Sequence, residues 1–541
     1  VSISIFSLGG LGEIGMNCFV LDSGREAFII DGGIMFPDDG MVGIDYVVPD
    51  FSVLTPFKER IRGIFLTHGH DDHIGGIPYL LKDISVPVYA TRLTSELLKS
   101  RLAEYDLDPE GEIRVIGRNE VVSFLDFSFE AFPVCHSIPE GVGYIVRTED
   151  GIIVHSGDFK IDNTPPDGIR TDLKKVYQVG REGVALLLSD STNVENQRRT
   201  LSEGYVKNVL KRIIRESKGR VIVSMFSSNI IRLSDTIETA WEEGREVAVV
   251  GMSMIQNLEI AKNLGYLKVP EGKGFVGLER IESYDESSLV ILTTGSQGEP
   301  FSALSLISRG QHKYVKVKEN DRVVLSSRFI PGNETAIFRL IDNLFRRGAD
   351  VLYQVISEVH VSGHGGRAEL STMVKAVSPR YFVPIHGEYR HLVQHAALAK
   401  ECASSESLVV EDGELLVLSN GELRREGALP LSKVYVDGKG VGDVCEMVLR
   451  ERRNLSRDGV VLAVVGKDEE GGEIVYGPEI ITLGVTGADY SFDIIQGARE
   501  LVRESFKNGI SDEEEIRKVL RRYFRKSLER KPVVFPLVIE V

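Results

Sequence analysis

The run Thr67-His68-Gly69-His70-Asp71-Asp72-His73-Ile74-Gly75-Gly76 follows directly on an apolar stretch and packs His68, His70, Asp72 and His73 into six residues. No regular strand or helix points all four one way. A loop curling over a cation does, and imidazole with carboxylate is the donor set that Zn²⁺ and similar borderline metals favour. Such a run makes only part of a site for two ions, so further His and Asp are expected at later strand ends. His136 follows Phe132-Pro133-Val134-Cys135, Asp158 follows a strand ending at Val154, and His386 follows Tyr381-Phe382-Val383-Pro384-Ile385. Two divalent ions about 3.5 to 4 Å apart can share a water, lower its pKa and hold it in line with an electrophilic phosphorus or carbonyl. Hydrolysis is the chemistry to expect. His155, His312, His391 and His395 are not needed to complete the set and are expected to be structural; His360 is an intermediate case.

The elements that must position these groups are short β-rich runs ending in Gly turns. Phe28 to Ile30 ends at Asp31-Gly32-Gly33, Gly63 to Leu66 ends at Thr67-His68, and Gly151 to Val154 ends at His155-Ser156-Gly157-Asp158. Polar residues at strand ends are the usual placement of a site in a layered α/β fold. From about Glu195 a second α/β stretch begins. Val206, Val209, Leu210, Ile213 and Ile214 share one helix face, and strands Arg220 to Met225, Val247 to Val250 and Leu289 to Thr293 follow. Past the Gly- and Pro-punctuated text near Ala428 to Gly442, a β-β-α-α-β unit is expected. Its second helix opens at Ser511-Asp512-Glu513-Glu514, a capping-box spacing, and carries Ile516, Val519, Leu520 and Leu528 on one side. From Ile516 to Lys531 there are eight Lys or Arg against one acid, a solvated face in the plainer view and an RNA-touching or subunit-docking face in the other.

Length and composition bound these expectations. With 541 residues, three or four domains are expected, and 42% hydrophobic against 27% charged residues describe ordinary folded structure. No uninterrupted apolar run approaches the roughly 18 to 20 residues of a membrane span. The start, Val1 to Gly10, has no secretory pattern, so a soluble, cytoplasmic protein without membrane association is expected, with room for native residues upstream of Val1. Cys18, Cys135, Cys402 and Cys445 are scattered, which fits a reducing compartment and leaves any metal to His and carboxylate. The net charge of −16 repels polyanions globally, although charge acts locally at a binding site.

On the motif residues the chain resembles the metallo-β-lactamase superfamily, with Asp31, the His68–His73 run, His136, Asp158 and His386 at its five strand-end motifs. The resemblance implies an αββα sandwich, one ion held by His68, His70 and His136, a second by Asp72, His73 and His386, and Asp158 bridging them. Asp31 would orient a ligand His from behind. Zn²⁺ is the expected metal, with Mn²⁺ as the alternative. A simple lactamase would close its sandwich without the long insertion between Asp158 and His386. That insertion and its return carry the turns Leu186 to Asn193, Phe226 to Arg232, Thr294 to Pro300, Ser326 to Glu334 and His360 to Gly366, all rich in N–H and O–H donors that can cradle phosphate.

Together these turns resemble the β-CASP nucleases, with Asp190, His364 and His386 matching motifs A, B and C. The match runs from Val1 to about Ala428, and a His at the third motif accompanies RNA-cleaving members. Leu8-Gly9-Gly10-Leu11-Gly12-Glu13-Ile14-Gly15-Met16-Asn17, Met35-Phe36-Pro37 and the C-terminal unit are similar to the bacterial ribonuclease J family. The expected architecture is α/β: a metallo-β-lactamase sandwich over 1–194 and 357–428, an inserted β-CASP α/β domain over 195–356, a linker over 429–450 and a small α+β domain over 451–541. Family resemblance implies a 5′-to-3′ exoribonuclease preferring 5′-monophosphate ends, with endonuclease activity, acting on single-stranded RNA. A homodimer or homotetramer is implied, with a paralogue or an RNA-degradation complex as further partners. Asp72, His364 and Asp190 are the expected catalytic residues. Ser362, Gly363, Ser227 and Asn229 are candidates for a 5′-phosphate pocket, Arg232 and Arg328 for backbone phosphates, and Phe36 for base stacking. The rival expectations are a β-CASP DNA nuclease, a catalytically inactive RNA-binding scaffold and a small-molecule hydrolase. One departure from the family pattern is Gly365, where Ala follows the motif histidine in many members; the swap is expected to loosen that loop.

Overall fold

A computed structural model describes residues 2–38, 40–108, 113–330, 332–403, 405–438, 440–468 and 473–541, and no side chain is described for residues 488–491. Val1, and Pro331 within the Ser326 to Glu334 turn, lie outside the described residues. The chain divides into two units, Val1–Phe36 with Val47–Lys433, and Pro37–Tyr46 with Val434–Val541.

Alternating apolar residues in the first unit build two facing sheets. The first, of eight strands, runs in spatial order Glu422–Ala428, Glu414–Ser419, Ile3–Gly9, Cys18–Asp22, Ala27–Ile30, Ile61–Phe65, Val88–Ala90 and Ile113–Val115. The second, of seven, runs Glu406–Ser407, Tyr381–Ile385, Val184–Asp190, Gly151–His155, Val142–Thr148, Ser128–Pro133 and Val121–Ser123. Phe28, Phe65, Phe129, Tyr144, Leu186 and Tyr381 interdigitate between them, with the Phe65 and Phe129 rings stacked 3.9 Å apart. Helices cover both outer faces: Leu80, Leu93 and Leu98 pack on the first sheet, and Val176, Val179, Met373 and Leu398 on the second. This is the αββα sandwich that the resemblance implies.

Strand Val184–Asp190 shows why the site forms where it does. All seven residues are buried, and it lies parallel to Gly151–His155 on one side and Tyr381–Ile385 on the other. A strand flanked in parallel and covered on both faces reads as a continuous apolar run, as Val-Ala-Leu-Leu-Leu does. Its three-strand block therefore ends together, and the polar residues after each strand emerge side by side.

The insertion carries a parallel sheet of six strands, in order Phe275–Val276, Glu246–Val250, Leu289–Thr293, Val221–Ser224, Arg322–Leu325 and Asp350–Leu352. The helix Glu203–Glu216 buries Val206, Val209, Leu210, Ile213 and Ile214, the face anticipated from their spacing.

The second unit holds the sheet Ile474–Leu483, Val460–Lys467, Val533–Glu540, with helices Ala488–Lys507 and Glu513–Leu528 packed on it through Val461, Ala463, Ala498, Val502, Ile516 and Leu520. Its sequence spacing misplaced the cap by one residue: Asp512, not Ser511, accepts from the backbone N–H groups of Glu514 and Glu515. Residues 429–450, expected as a linker, carry strands Lys433–Asp437 and Gly440–Val441 and the start of helix Glu446–Asp458. Tyr435, Val436 and Leu449 are buried, which gives this stretch packing of its own despite its Gly-rich text.

His395 is one of the histidines expected to be structural. On helix Tyr389–Ala403 it is fully buried, packs edge-on against Phe382 at 4.7 Å and pairs through Nδ1 with Ser191 Oγ at 3.0 Å. Burial holds it down to about 3. The unfolded chain takes up this proton below about pH 6.5 while the native protein does not, so its contribution to stability is present above that pH and is lost as pH falls toward 3. Between pH 7.5 and 5.5, urea unfolding of chelator-treated protein should lose about 1 kcal/mol less in His395→Asn than in the parent. An equal loss in both proteins contradicts this.

Candidate metal centre

Every candidate ligand stands at or shortly after the end of a strand, Asp72 and His73 within the short helix Asp71–Ile74. The Ile61–Phe65 strand leads into His68, His70, Asp72 and His73. Ser128–Pro133 leads to His136, Gly151–His155 to Asp158, Val184–Asp190 ends on Asp190, and Tyr381–Ile385 leads to His386. The ligand loop is clamped by backbone hydrogen bonds: Asn17 N–H donates to Asp72 O at 3.0 Å, Gly32 N–H to His73 O at 2.7 Å and Ile34 N–H to Asp71 O at 3.0 Å. Gly33 is required beneath it, because a Cβ there would sit 1.7 Å from Asp72 O. Asp31 and His386 hold positive φ values of 62° and 51°, a strained conformation for residues with side chains that the packing around them enforces.

The folded chain gathers the expected ligands into two clusters, and Asp158, Asp190, His364 and His386 form a third group that overlaps the second. His68, His70 and His136 bring one ring nitrogen each within 4.8 Å of one another, and Asp72, His73, Asp158 and His386 do the same with one donor atom each. In the first, His68 Nε2 lies 2.9 Å and His136 Nε2 3.2 Å from His70 Nδ1. Between the clusters stands one atom, Asp158 Oδ2, at 3.2 Å from His73 Nε2, 3.3 Å from His386 Nε2, and 3.7 Å from both His68 Nε2 and His136 Nε2. It is buried and receives no well-formed hydrogen bond from the chain. A buried carboxylate oxygen facing only ring nitrogens is costly, and a divalent cation fits both it and the surrounding donor set.

Electrostatics agrees with that fit. Burial, with repulsion from neighbouring imidazoles, holds His68 and His70 well below the usual histidine range, and burial brings His136 down to about 3. All three are therefore neutral, the form that binds metal. His73 and His386 behave oppositely. Burial opposes their protonation, but Asp158 and Asp72 outweigh it, with Asp31 acting on His73 and Asp190 on His386; His73 rises well above the ordinary value and His386 to about 9. Burial pushes the Asp158 carboxyl up, and His386, His73 and His364 hold it well below its normal range instead. The second cluster thus calls for positive charge, which a divalent ion supplies in place of protons.

The residues behind the ligands fix their ring orientations. Asp31 accepts from His73 Nδ1 at 2.8 Å and from Thr67 N and Oγ1 at 2.8 Å each, which turns His73 Nε2 toward Asp158. His136 Nδ1 donates to Gly363 O at 2.9 Å, and a Cβ on Gly363 would lie 2.7 Å from that ring. His364 Nδ1 donates to Asp190 Oδ2 at 2.8 Å, and its backbone N–H donates to Ser362 Oγ at 3.0 Å. Gly365 makes this turn tight, not loose: its N–H donates to Phe159 O at 2.7 Å, and a Cβ would stand 3.0 Å from the Glu369 Cβ. Glu369 in turn accepts from the N–H groups of Ile161, Thr200 and Gly366.

The outer candidates divide. Arg328 is exposed, and no ion pair holds it among the described residues; Phe36 is 59% exposed. Ser227 is half-buried, and Asn229 spends its Oδ1 capping helix Ile230–Glu242. Arg232 is turned inward, 2% exposed. Its guanidinium is bound to Glu203 at 2.8 Å, Ser326 O at 2.8 Å and His360 Nδ1 at 2.8 Å, so it has no free donor to offer an RNA phosphate. The buried acid that captures it, Glu203, sits within a helix read only for its apolar face. Thr200, Glu203 and Lys160 were not singled out, since an isolated polar residue carries no period or motif to mark it.

The sandwich and its two clusters define a metallo-hydrolase, and the inserted parallel sheet places it among those with a β-CASP domain. Residues 43–179 match the beta-lactamase superfamily domain, 218–344 the ribonuclease J beta-CASP domain, 348–408 the Zn-dependent metallo-hydrolase RNA specificity domain and 447–541 the ribonuclease J C-terminal domain. The chain is 39% identical to ribonuclease J 1 of Streptococcus pyogenes serotype M3, covering 99% of this chain and 97% of that one. It is 37% identical to ribonuclease J2 of Bacillus subtilis, covering 100% and 99%. With ribonuclease J of Thermus thermophilus it shares 38% identity, covering 99% and 95%. A crystal structure of a protein of unknown function from Enterococcus faecalis V583 shares the fold, with a TM-score of 0.55 at 18% identity over 77% of this chain and 100% of that one. The chain belongs to the ribonuclease J family. It is a metal-dependent hydrolytic ribonuclease that binds RNA and divalent metal. No helix among the described residues is long and apolar enough to cross a membrane.

Because Asp31 orients the candidate ligands from behind, through His73 and through Thr67, Asp31→Ala should weaken metal binding roughly 10- to 100-fold, with a parallel loss of activity restored by added metal. Metal titration followed by an RNA cleavage assay checks this, and unchanged affinity refutes it.

Proposed function

We propose that the protein degrades single-stranded RNA from the 5′ end, prefers a 5′-monophosphate, and also cuts internally, using two divalent ions, Zn²⁺ first and Mn²⁺ as the alternative. His68, His70 and His136 would hold one ion, Asp72, His73 and His386 the other, and Asp158 would bridge them. When bound, the ions supply Lewis acidity that activates water and neutralises charge on the phosphoryl oxygens.

The observation that carries the end preference is the turn Ser362–Gly366, which is joined to the ligand shell by the His136 to Gly363 hydrogen bond of 2.9 Å. A phosphate cradled by that turn would lie beside the scissile bond, so one terminal nucleotide at a time would fit. Ser362, Gly363 and Ser227 would bind it, while Phe36 would stack on a base and Arg328 would meet the RNA backbone. Asn229, as a helix cap, would hold the Ser227 turn in place. His364, one-fifth exposed, faces the reacting phosphoryl group. Asp190 accepts its Nδ1 proton and so directs Nε2 outward, where it would stabilise developing negative charge or give a proton to the leaving 3′-oxygen.

The open face of the C-terminal sheet supports self-association. Ile481, Leu483, Phe535, Leu537 and Ile539 are each 45% to 67% exposed there, an apolar patch of a kind that marks a protein interface. A homodimer or dimer of dimers in the cytoplasm is the assembly proposed.

A time course comparing 5′-monophosphate with 5′-triphosphate RNA tests direction and end preference. Mononucleotides without a ladder, from the monophosphate RNA first, are expected; equal rates from both ends and both RNAs would contradict the proposal. His364→Ala should lower kcat by about 10²- to 10⁴-fold while metal content, measured by elemental analysis, stays at the parent value.

A further inference from the structure

Helix Glu513–Leu528 buries Ile516, Leu520 and Phe524 against the C-terminal sheet. At about 100° per residue, Arg521, Arg522, Arg525 and Lys526 fill an arc of roughly 140° directly opposite that seam. All four are exposed. None has an ion-pair or hydrogen-bond partner among the described residues, although Arg517 and Lys518 on the same helix are paired with Glu514 and Glu515. Acids outnumber bases by 80 to 64 in this chain, so a surface chosen at random would surround four cations with carboxylates. Attraction to the helix C-terminus accounts for Arg525 and Lys526 in the last turn, but not for Arg521 and Arg522 a turn earlier.

The geometry points to a second RNA-binding surface: we infer that this cationic arc holds the body of an RNA chain by its phosphates while the end is processed in the metal centre. Charge selects the occupant. A second copy of the same arc would repel it across a two-fold axis. The apolar sheet face formed by Ile481, Leu483, Phe535, Leu537 and Ile539 lies on the side away from this helix, so self-association there leaves the arc in solvent. The polyanion this enzyme binds is RNA, and guanidinium groups spaced along a helix meet phosphates without regard to sequence. The arc is a tether and takes no part in hydrolysis.

The test uses the full-length metal-loaded enzyme. The variant Arg521→Gln/Arg522→Gln/Arg525→Gln should raise KM for a 40-nucleotide single-stranded RNA roughly 10-fold at 0.1 M salt, with kcat unchanged. The slope of log(kcat/KM) against log[salt] should become shallower by about 2, because each phosphate that a cation neutralises on a single strand contributes about 0.7 to it. A hexanucleotide, which has few phosphates to spare beyond those at the metal centre, should be cleaved as by the parent. Arg521→Lys/Arg522→Lys/Arg525→Lys should restore most of the 40-nucleotide KM, and if the glutamine variant does not fold, Arg522→Gln alone should change the slope by about 0.7. Unchanged KM and slope for the long RNA overturn the inference. So does an equal loss on the hexanucleotide, which locates the damage in the active centre, or a change in oligomeric mass by light scattering, which makes the arc a protein interface. The 5′-end preference can fail without affecting any of these outcomes, since both RNAs carry the same 5′ end.

Discussion

A single carboxylate oxygen sets the terms for the rest of the first unit. Asp158 Oδ2 sits within 3.8 Å of ring nitrogens from five histidines, His68, His73, His136, His364 and His386. His68 and His136, held neutral by burial, turn lone pairs inward, and the carboxylate adds negative charge that His73 and His386 answer, so the arrangement is stable only around positive charge. The histidines arrive from both sheets and from the return of the chain after the insertion. Bringing them together requires the sandwich to close and the parallel block of Gly151–His155, Val184–Asp190 and Tyr381–Ile385 to end in register.

The inserted domain is coupled to this centre by buried ions. Lys160, two residues after Asp158, lies 3.6 Å from Asp162 and 3.7 Å from Glu203, all three buried. Glu203 grips Arg232, which in turn binds Ser326 O, His360 and Val361 O at the base of the turn carrying His364. Buried ion pairs contribute little net stability, but breaking one partner away leaves an uncompensated charge, which makes them good at enforcing one geometry. Arg232 therefore holds the base of the His364 turn, with its guanidinium already bound within the protein.

The net charge of −16 is compatible with RNA binding because the acids and bases are not evenly mixed. Asp72 and Asp158 stand among the candidate metal-ligating histidines, and an unpaired cationic arc stands on the C-terminal helix. An acidic body with local cationic contacts releases polyanionic products more readily than a uniformly basic one, since long-range attraction is absent once the short contacts break.

By itself the sequence determined the candidate ligands and the layered order of the fold. His and Asp after apolar runs are recognisable because strand periodicity and metal-donor chemistry each leave a local signature, and the helix face from Val206 to Ile214 was legible for the same reason. What it left open depended on groups far apart in the chain. Whether Arg232 faces solvent or Glu203, that residues 429–450 carry strands and a helix, that Pro37–Tyr46 groups with the C-terminal unit, and that Phe159 O and Glu369 hold the N–H groups of Gly365 and Gly366 are set by packing that no local stretch of sequence encodes. A polar or glycine residue has the same local text in a surface turn and in a buried network. Only the packing of the sandwich, which decides where water is excluded and which donor meets which acceptor, distinguishes the two.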